Sequence, residues 1–336
     1  MTRLIRLWAR MRAARHHRSM LGQVFDWMTH RFLLRVTARD YYRFEFFDPQ
    51  YSWSDKKRYI CPGGSVYWPY ENIPRKFSSM LSNKYIQKHL LLGFGLPTPK
   101  LLETVGSQFN VRTREHFQCT VDAIEGDFLL KPVNGSHGSH ILVIEKTGTG
   151  LRCGSRDVTA DELWEAVYQR FDSGFLLERR VTNVDYIREI FPGCLNTFRV
   201  NMVRTDDNQW HVVSSGLKMG KGDCQVDNTH AGGLWIDLDD RGVGVQFHGD
   251  AIAQHPETGV QLLGRQFDGY EELTALAIRA CEKFGVLGTV GWDIAHTTEG
   301  FQIIEGNTLW GPETIPLVTD EIAANLKYHG PFTSWK

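Results

Sequence analysis

The chain of 336 residues lacks the features that identify several protein classes directly. No apolar run approaches the roughly 18 residues that a membrane-spanning helix needs, and no repeat or low-complexity linker is present. The six cysteines are scattered without a CxxC pair, and no apolar leader precedes the body. We therefore expect reduced thiols and a cytoplasmic protein. A net charge of −1 argues against a nucleic-acid partner.

Two common nucleotide-binding motifs are also missing. The Walker A pattern GxxxxGK[ST] does not occur, and the Gly/Ser loop at 134–139 joins two expected strands, so it does not open a helix as a dinucleotide fingerprint does. Apolar residues make up 42% and charged residues 23%, which excludes a disordered or collagenous chain. The length predicts about two domains, or one with subdomains.

The low net charge hides an uneven distribution. Residues 1–36 carry eight arginines and one acidic residue, a net charge of +7, which leaves −8 on the rest. On a helical wheel, arginines share one face of the first turns and apolar side chains share another. The apolar face comprises Leu4, Leu7, Trp8 and Met11. Three outcomes remain open: this helix docks on the acidic body, contacts an anionic membrane or a partner, or is disordered.

The remainder mixes helices and strands without strict βαβ alternation, which predicts the α+β class. Residues 41–75, rich in aromatics, are expected to form short strands and turns. Helices are expected at 77–93 (with an apolar stripe through Met80, Ile86, Leu90 and Leu91), 161–171 and 270–284. Strands are expected at 128–133, 140–145, 175–181, 197–205, 210–218, 233–237, 289–297 and 301–307.

The last two strands carry the most informative pattern, an aspartate facing a Glu-x-Asn. A three-residue loop at 298–300, with a left-handed Gly300, places Asp293 opposite Glu305 and puts Asn307 on the same face. Like charges directly opposite destabilise a hairpin, so a positive partner is expected. Because carboxylate and amide oxygens suit Mg²⁺ held together with substrate phosphates, we predict a magnesium site.

Two further charges lie inside apolar strands. Lys131 precedes the Gly/Ser loop, whose backbone N–H groups are suited to cradle phosphate oxygens. Arg199 lies between Phe198 and Val200, and a buried guanidinium needs a carboxylate or a phosphate. Alone, the loop also fits an ordinary turn, and the arginine also fits a structural ion pair.

In this order, the patterns resemble the ATP-grasp superfamily, and in detail its sugar-transfer-associated branch, which includes teichuronopeptide-synthesis-type proteins. The resemblance covers about residues 40–320. It is carried by Lys84–Lys88 with Gly95–Pro99, Lys131-Pro132 with Gly138, Glu178–Val181, Asn196–Val200, Asp227-Asn228 with Gly232-Gly233, Gly291–Ile294 and Glu305–Asn307.

The resemblance implies a fold in which a lid subdomain and a large subdomain clasp ATP. It implies ATP and Mg²⁺ as cofactors and divides the chain into four parts. These are a basic N-terminal helical segment at 1–40, a region preceding the ATP-grasp core at 41–125, the lid at 126–180, and the large subdomain with the metal site at 181–336.

The resemblance also implies roles for the residues around the nucleotide. Lys84 and Lys131 reach the ATP phosphates, with Lys88 as a rival for the first role. The lid loop over the β- and γ-phosphates comprises Gly135, Ser136, His137 and Gly138. His137 and His140 depart from relatives that carry glycine or small residues there.

The hinge and the metal site complete the implied set. Glu178 assists the hinge backbone in holding adenine, and Asp185 reaches the ribose. The hinge itself includes Arg180 and Val181. Arg199 contacts the transferred phosphoryl group, and the metal ligands are Asp293, Glu305 and Asn307. The region facing the second substrate includes Lys218, Asp227 and Asn228.

The implied activity is ligation of a carboxylate to an amine through an acylphosphate, joining an amino acid to a peptide or a sugar-linked group. The expected partners are small-molecule, peptide or sugar substrates. A phosphotransferase acting on a hydroxyl would use the same nucleotide site and is the alternative. A regulatory nucleotide-binding module is a third reading, disfavoured by the complete set of charged residues.

Overall fold

A computed structural model describes most of the chain. The described residues are 3–34, 36–53, 56, 77–135, 140–148, 150–169, 172–205, 207–224, 226–227, 232–247, 253–308 and 310. The helices are α1 (Arg3–Ala13), α2 (Met20–Leu34), α3 (Ala38–Arg43), α4 (Ser79–Ser82), α5 (Lys84–Gly93), α6 (Arg114–Ala123), α7 (Ala160–Tyr168), α8 (Asp185–Arg188) and α9 (Tyr270–Lys283), with a 3₁₀ turn at Ala14–His16.

The strands form two antiparallel sheets of six strands each. The strands are β1 (Leu101–Val105), β2 (Phe128–Pro132), β3 (Leu142–Thr147), β4 (Gly150–Cys153), β5 (Arg156–Val158), β6 (Phe175–Arg179), β7 (Thr197–Arg204), β8 (Trp210–Met219), β9 (Leu234–Leu238), β10 (Gly244–Phe247), β11 (Thr289–Thr297) and β12 (Gly300–Asn307). The first sheet has the order β1-β6-β2-β3-β4-β5 and the second β10-β9-β8-β7-β11-β12. This mixture confirms the α+β class.

Each sheet packs on its own apolar core. The first sheet and helices α6 and α7 enclose one cluster, which includes Phe117, Phe128 and Trp164. The second sheet and α9 enclose the largest cluster, in which Trp292 contacts Phe284 edge to face. The predicted division into four parts stays a prediction, although β1 and α6, which precede residue 126, belong to the first sheet and its core.

The predicted helix at 77–93 is two helices. Asn83 interrupts it in an extended conformation and caps α5, because its side chain accepts a hydrogen bond from the Ile86 N–H. The expected apolar stripe is wrong at Ile86, which is 38% exposed. The buried face of α5 is largely polar and follows the 3-4-7 spacing of one helix side. It comprises Lys84, Gln87, Lys88 and Leu91.

The terminal hairpin reaches its predicted pairing by a different route. Thr297 pairs with Gly300, so the turn is one residue shorter than expected, although Gly300 does adopt a positive φ of 94°. A bulge between Asp293 and Ile294 adds the missing residue on β12. The two deviations cancel, and Asp293 lies opposite Glu305 as predicted.

The N-terminal helices form a cluster of their own. Residues Ala14, Leu34, Val36, Tyr41, Phe44, Phe46 and Phe47 make up its core. We call residues 3–53 the basic head. Leu4 and Leu7, part of the predicted docking face of α1, have side chains outside the described set, and Trp8 is 52% exposed. No helix among the described residues is both long enough and apolar enough to cross a bilayer.

Candidate active site

A cavity of about 800 Å³ lies between the two sheets and is lined by both. Its volume is in the range of small-molecule binding sites, roughly 300–1,000 Å³. Apolar side chains of both sheets line one part, including Leu129, Val143 and Ile304. Charged side chains converge on the rest, so the cavity can hold a molecule with one flat apolar part and one highly charged part.

Asp293 lies at the centre of the charged part, with 7% of its surface exposed. Arg199, directly opposite on β7, binds it through two hydrogen bonds, Nε to Oδ1 at 2.6 Å and Nη2 to Oδ2 at 3.0 Å. Lys218 Nζ lies 2.9 Å from the same Oδ1. Burial alone would raise the pKa of Asp293, but the charges of Arg199 and Lys218 outweigh burial and hold the pKa at about 2.

Glu305, on the second strand of the hairpin, lies near two lysines from outside the hairpin. Lys84 Nζ lies 3.6 Å from Oε1, and Lys131 Nζ lies 3.9 Å from Oε2. Both lysines are almost fully buried. Burial lowers the pKa of Lys84, and the Glu305 carboxylate only partly offsets this effect. The compensating positive charge that the opposed carboxylates require is therefore supplied by four cationic side chains.

Backbone contacts fix Lys84 and Lys131 in place. Lys84 Nζ donates a 2.7 Å hydrogen bond to the Gly135 carbonyl, at the start of the predicted lid loop. Lys131 Nζ donates to the Ile304 carbonyl at 3.2 Å. The remaining predicted loop residues, Ser136, His137 and Gly138, lie outside the described residues, as does Asn228. Gly135, Lys84 and Lys131 line the cavity.

Gln87 holds α5 against the end of β12, and the sequence analysis missed it. Its amide group bonds both backbone polar groups of Gly306, Nε2 to the carbonyl at 2.8 Å and Oε1 to the N–H at 3.2 Å. A Cβ atom on Gly306 would lie 2.4 Å from the Trp292 ring, so the residue between Glu305 and Asn307 must be small. The sequence did contain a signal for this contact, because Gln87 lies on the same face of the helix as Lys84 and Lys88.

Glu178 and Lys88 form a buried ion pair at 2.9 Å behind the cavity. Lys88 also donates to Thr98 Oγ1 at 2.7 Å and to the Pro99 carbonyl at 2.9 Å. Burial alone would raise the pKa of Glu178, but the charges of Lys88, Lys131 and Lys84 outweigh it and lower the pKa. Glu178 and Lys84 line the cavity. Lys88 instead points toward Thr98 and Pro99, in the segment after α5.

The hinge residues are brought together in part. Arg180 and Val181 line the cavity, and Arg180 Nη1 bonds Glu145 Oε1 at 2.7 Å. The Asp185 side chain is 89% exposed and pairs with Arg188 at 2.7 Å. Within the described part of the chain, Arg188 and not Asp185 lies in the cavity lining.

Lys218 connects Asp293 to a second buried carboxylate, Asp227. The Lys218 Nζ lies 3.9 Å from Asp227 Oδ1, and Thr197 donates a short hydrogen bond to Asp227 Oδ2. Burial raises the pKa of Asp227, and Lys218 offsets this only in part. Burial alone would lower the pKa of Lys218, but the two carboxylates outweigh it and raise the pKa.

The residues predicted to bind magnesium fit that ion by their chemistry. Asp293 and Glu305 are directly paired, and Asn307 Nδ2 lies 3.4 Å from Asp293 Oδ2, so the three side chains share one face of the hairpin. The cations near Glu305 stand farther away than a hydrogen bond, which leaves its oxygens available to a closer ion. Two carboxylates and an amide oxygen are too few for six-coordinate Mg²⁺, and phosphate or water oxygens would complete the set.

Two antiparallel sheets clasping a charged cavity make this an ATP-grasp fold. More narrowly, the family model described as sugar-transfer associated ATP-grasp matches residues 67–327, so the chain belongs to that family. The resemblance inferred from the sequence is thereby confirmed. A comparison with curated proteins found no match.

Solved structures similar to this chain include a purK N5-carboxyaminoimidazole ribonucleotide synthetase in complex with ADP, with 13% identity and a TM-score of 0.48. An L-amino acid ligase from Bacillus licheniformis has 16% identity and a TM-score of 0.43. A biotin carboxylase from Campylobacter jejuni in complex with β,γ-ATP has the same two values. The alignments cover 76%, 75% and 70% of this chain but only 54%, 47% and 42% of the respective structures. The chain therefore spans about half the length of these structures, or less.

Proposed function

We propose that the protein is an ATP-dependent ligase that joins a carboxylate to an amine through an acylphosphate. The observation that carries the proposal is the row Arg199–Asp293–Glu305 across three neighbouring strands, with Lys84 and Lys131 beside its open end. Transfer of a γ-phosphoryl group depends on positioning and on neutralising its charge. Fixed cations around paired carboxylates supply both.

Each part of the cavity has a role in this proposal. The apolar part, with Leu129 and Val143, accommodates adenine, and the hinge backbone beside Val181 holds its edge. Lys84 and Lys131 bind the phosphates. Mg²⁺ would be held by Asp293, Glu305 and Asn307 and would supply additional charge neutralisation on the phosphates.

The chemistry follows from the poor leaving group of a free carboxylate, which would have to expel oxide. A substrate carboxylate oxygen attacks the γ-phosphorus, and the bond to the ADP oxygen breaks. The amine then attacks the acyl carbon, the bond to phosphate breaks, and the amine loses a proton. Arg199, which lines the cavity beside Asp293, is the residue we assign to the transferred phosphoryl group, because a guanidinium binds phosphate oxygens strongly.

The substrates we propose are an amino acid and a peptide or sugar-linked group. The family description supports a link to sugar transfer. The part of the cavity near Arg188, Cys194 and Asp227 lies beyond the row of charges and is the region assigned to the second substrate. We also propose a cytoplasmic location, where ATP is available and the five described cysteines would remain free thiols.

The test is product analysis with the purified full-length chain, ATP and Mg²⁺. Amino acids, short peptides and uronic-acid sugars are supplied singly and in pairs, and products are identified by mass. A ligase releases ADP and phosphate only when both a carboxylate and an amine are present. ADP with a phosphorylated hydroxyl and no free phosphate would identify the phosphotransferase instead, and ATP binding without either product would reject both activities.

A further inference from the structure

Helix α2 exposes an apolar side to solvent, whereas a surface helix of a globular protein ordinarily buries that side. Four large apolar side chains of α2 are exposed on one side: Leu21 (75% exposed), Phe25 (69%), Met28 (54%) and Phe32 (86%). At 3.6 residues per turn, these four fall within about 60° of one another and form a single ridge. Scattered exposed apolar residues are normal, but a continuous row of this kind marks an interaction surface.

The opposite side of α2 is polar and buried. Gln23 is fully buried, and its Nε2 donates to the Arg18 carbonyl at 2.7 Å and to the Met11 carbonyl at 3.1 Å. Tyr42 donates from its hydroxyl to Gln23 Oε1 at 3.0 Å. Both donor positions of this amide and its carbonyl oxygen are therefore bonded to neighbouring elements, which fixes the rotation of α2 about its axis.

Asp26 makes the same inward contacts one turn later. Tyr41 donates to its Oδ2 at 2.7 Å, and Arg18 Nη1 lies 3.2 Å from Oδ1. His30, 1% exposed, bonds the Asp26 carbonyl through Nδ1 at 2.7 Å. Turning α2 to bury its apolar ridge would break this network, so the outward position of the ridge is specified by the sequence.

The charge around the ridge identifies its partner. Asp26 is the only acidic residue among the first 36, and it is paired inside the head, whereas Arg10, Arg12 and Arg15 are exposed. Trp8, also exposed, lies under the Arg12 guanidinium at 4.8 Å from the ring centre. An exposed apolar ridge on a head with a net positive charge and exposed arginines matches the boundary between anionic headgroups and acyl chains. A second copy would bring two heads of the same charge together and is disfavoured.

We propose that the basic head docks the protein on an anionic membrane surface through the apolar ridge of α2, with the surrounding arginines on the lipid headgroups. This assigns the contact to α2, whereas the sequence pattern had pointed to the first helix. It also brings the catalytic body close to acceptors carried on lipids, but it does not depend on the proposed ligase activity.

The test is flotation of the full-length protein with vesicles of phosphatidylcholine, with and without phosphatidylglycerol. We expect binding to the anionic vesicles, loss of that binding at high salt, and none to pure phosphatidylcholine. The double variant F25Q/F32Q should bind about a hundredfold more weakly, because each of the two phenyl groups contributes roughly a factor of ten when it leaves water. The control L92Q/Y168Q, which removes exposed apolar side chains of the body, should bind like wild type.

Three results would overturn the proposal. One is equal binding of F25Q/F32Q and wild type to anionic vesicles, or no binding of wild type. Another is a lower melting temperature of F25Q/F32Q, which would mean that the ridge is covered within the chain; L21Q/M28Q repeats this comparison with the other two members. The last is conversion of a wild-type dimer to a monomer by F25Q/F32Q, which would assign the ridge to a second copy.

Discussion

The two paired carboxylates should differ sharply in what they contribute to stability, although we expect both to be essential for turnover. Asp293 has its pKa displaced from 3.8 to about 2, which at about 1.4 kcal/mol per unit corresponds to roughly 2 kcal/mol. Replacing it with asparagine also removes the carboxylate that Arg199 and Lys218 share in a buried position, and breaking such a pair typically costs about 3–5 kcal/mol. We therefore expect D293N to lower the free energy of unfolding by about 3 kcal/mol.

Glu305 provides the matched control. Its side chain is 23% exposed, and its two lysines stand 3.6 Å and 3.9 Å away. E305Q should therefore cost less than about 1 kcal/mol, as weakly paired charges do. Urea unfolding in the presence of EDTA measures both variants without bound metal, and ADP release measures turnover. Equal destabilisation by the two substitutions would refute the reasoning, and wild-type ADP release by either would remove it from the proposed metal site.

The stabilising effect of Asp293 also has a defined pH range. Its pKa in the folded state lies below the unfolded value of 3.8, so its contribution is complete above that value and is lost as pH falls toward 2. Acid unfolding curves of D293N and wild type should therefore converge in this range.

Three further predictions concern other parts of the molecule. K84M should weaken nucleotide binding at least tenfold in a fluorescence titration. K88M removes a side chain that lies outside the cavity lining and breaks its buried ion pair with Glu178, so it should chiefly lower the melting temperature; the reverse pattern would exchange their roles. G306A should destabilise by about 1–3 kcal/mol in urea, since the new Cβ would meet the Trp292 ring, and an unchanged midpoint would contradict this contact. Burial lowers the pKa of His30 from its usual value of 6.5, so its protonation is disfavoured in the folded head; the head should lose stability as pH falls below 6.5, and this loss, followed by tryptophan fluorescence, should vanish in H30N.

Local patterns were enough to predict much of the fold. Alternation and turn residues located β2, β7, β8, β11 and β12 within one or two residues of their observed ends. Four strands were missed, β1, β4, β5 and β10. Of these, β4 and β5 are short and mostly exposed, so they lack an apolar pattern to detect. The break at Asn83 was missed because a capping residue in the middle of an apolar run reads as part of one helix.

The site residues that lie within one hairpin could be predicted from the sequence. Those whose position depends on packing between distant elements could not. Asp293 and Glu305 face each other within one hairpin, and counting residues identified this pair because the unpredicted bulge cancelled the error in turn length. Which of Lys84 and Lys88 faces the cavity depends on the position of Glu178 on β6, the eighth element after α5, and no spacing in the sequence contains that information. The outward ridge of α2 was likewise invisible, because its buried side is polar and an apolar stripe is normally taken for the buried one.

The compensation in the terminal hairpin has a consequence for comparing this chain with others. A relative with one more residue in the turn and one fewer at the bulge would keep the same facing of Asp293 and Glu305. An alignment of the two sequences by residue similarity alone would then pair residues that do not occupy the same place in the hairpin. The insertion in the turn and the deletion at the bulge should therefore be treated as one change. A single insertion in the turn, without the deletion, should move Glu305 and Asn307 out of register with Asp293.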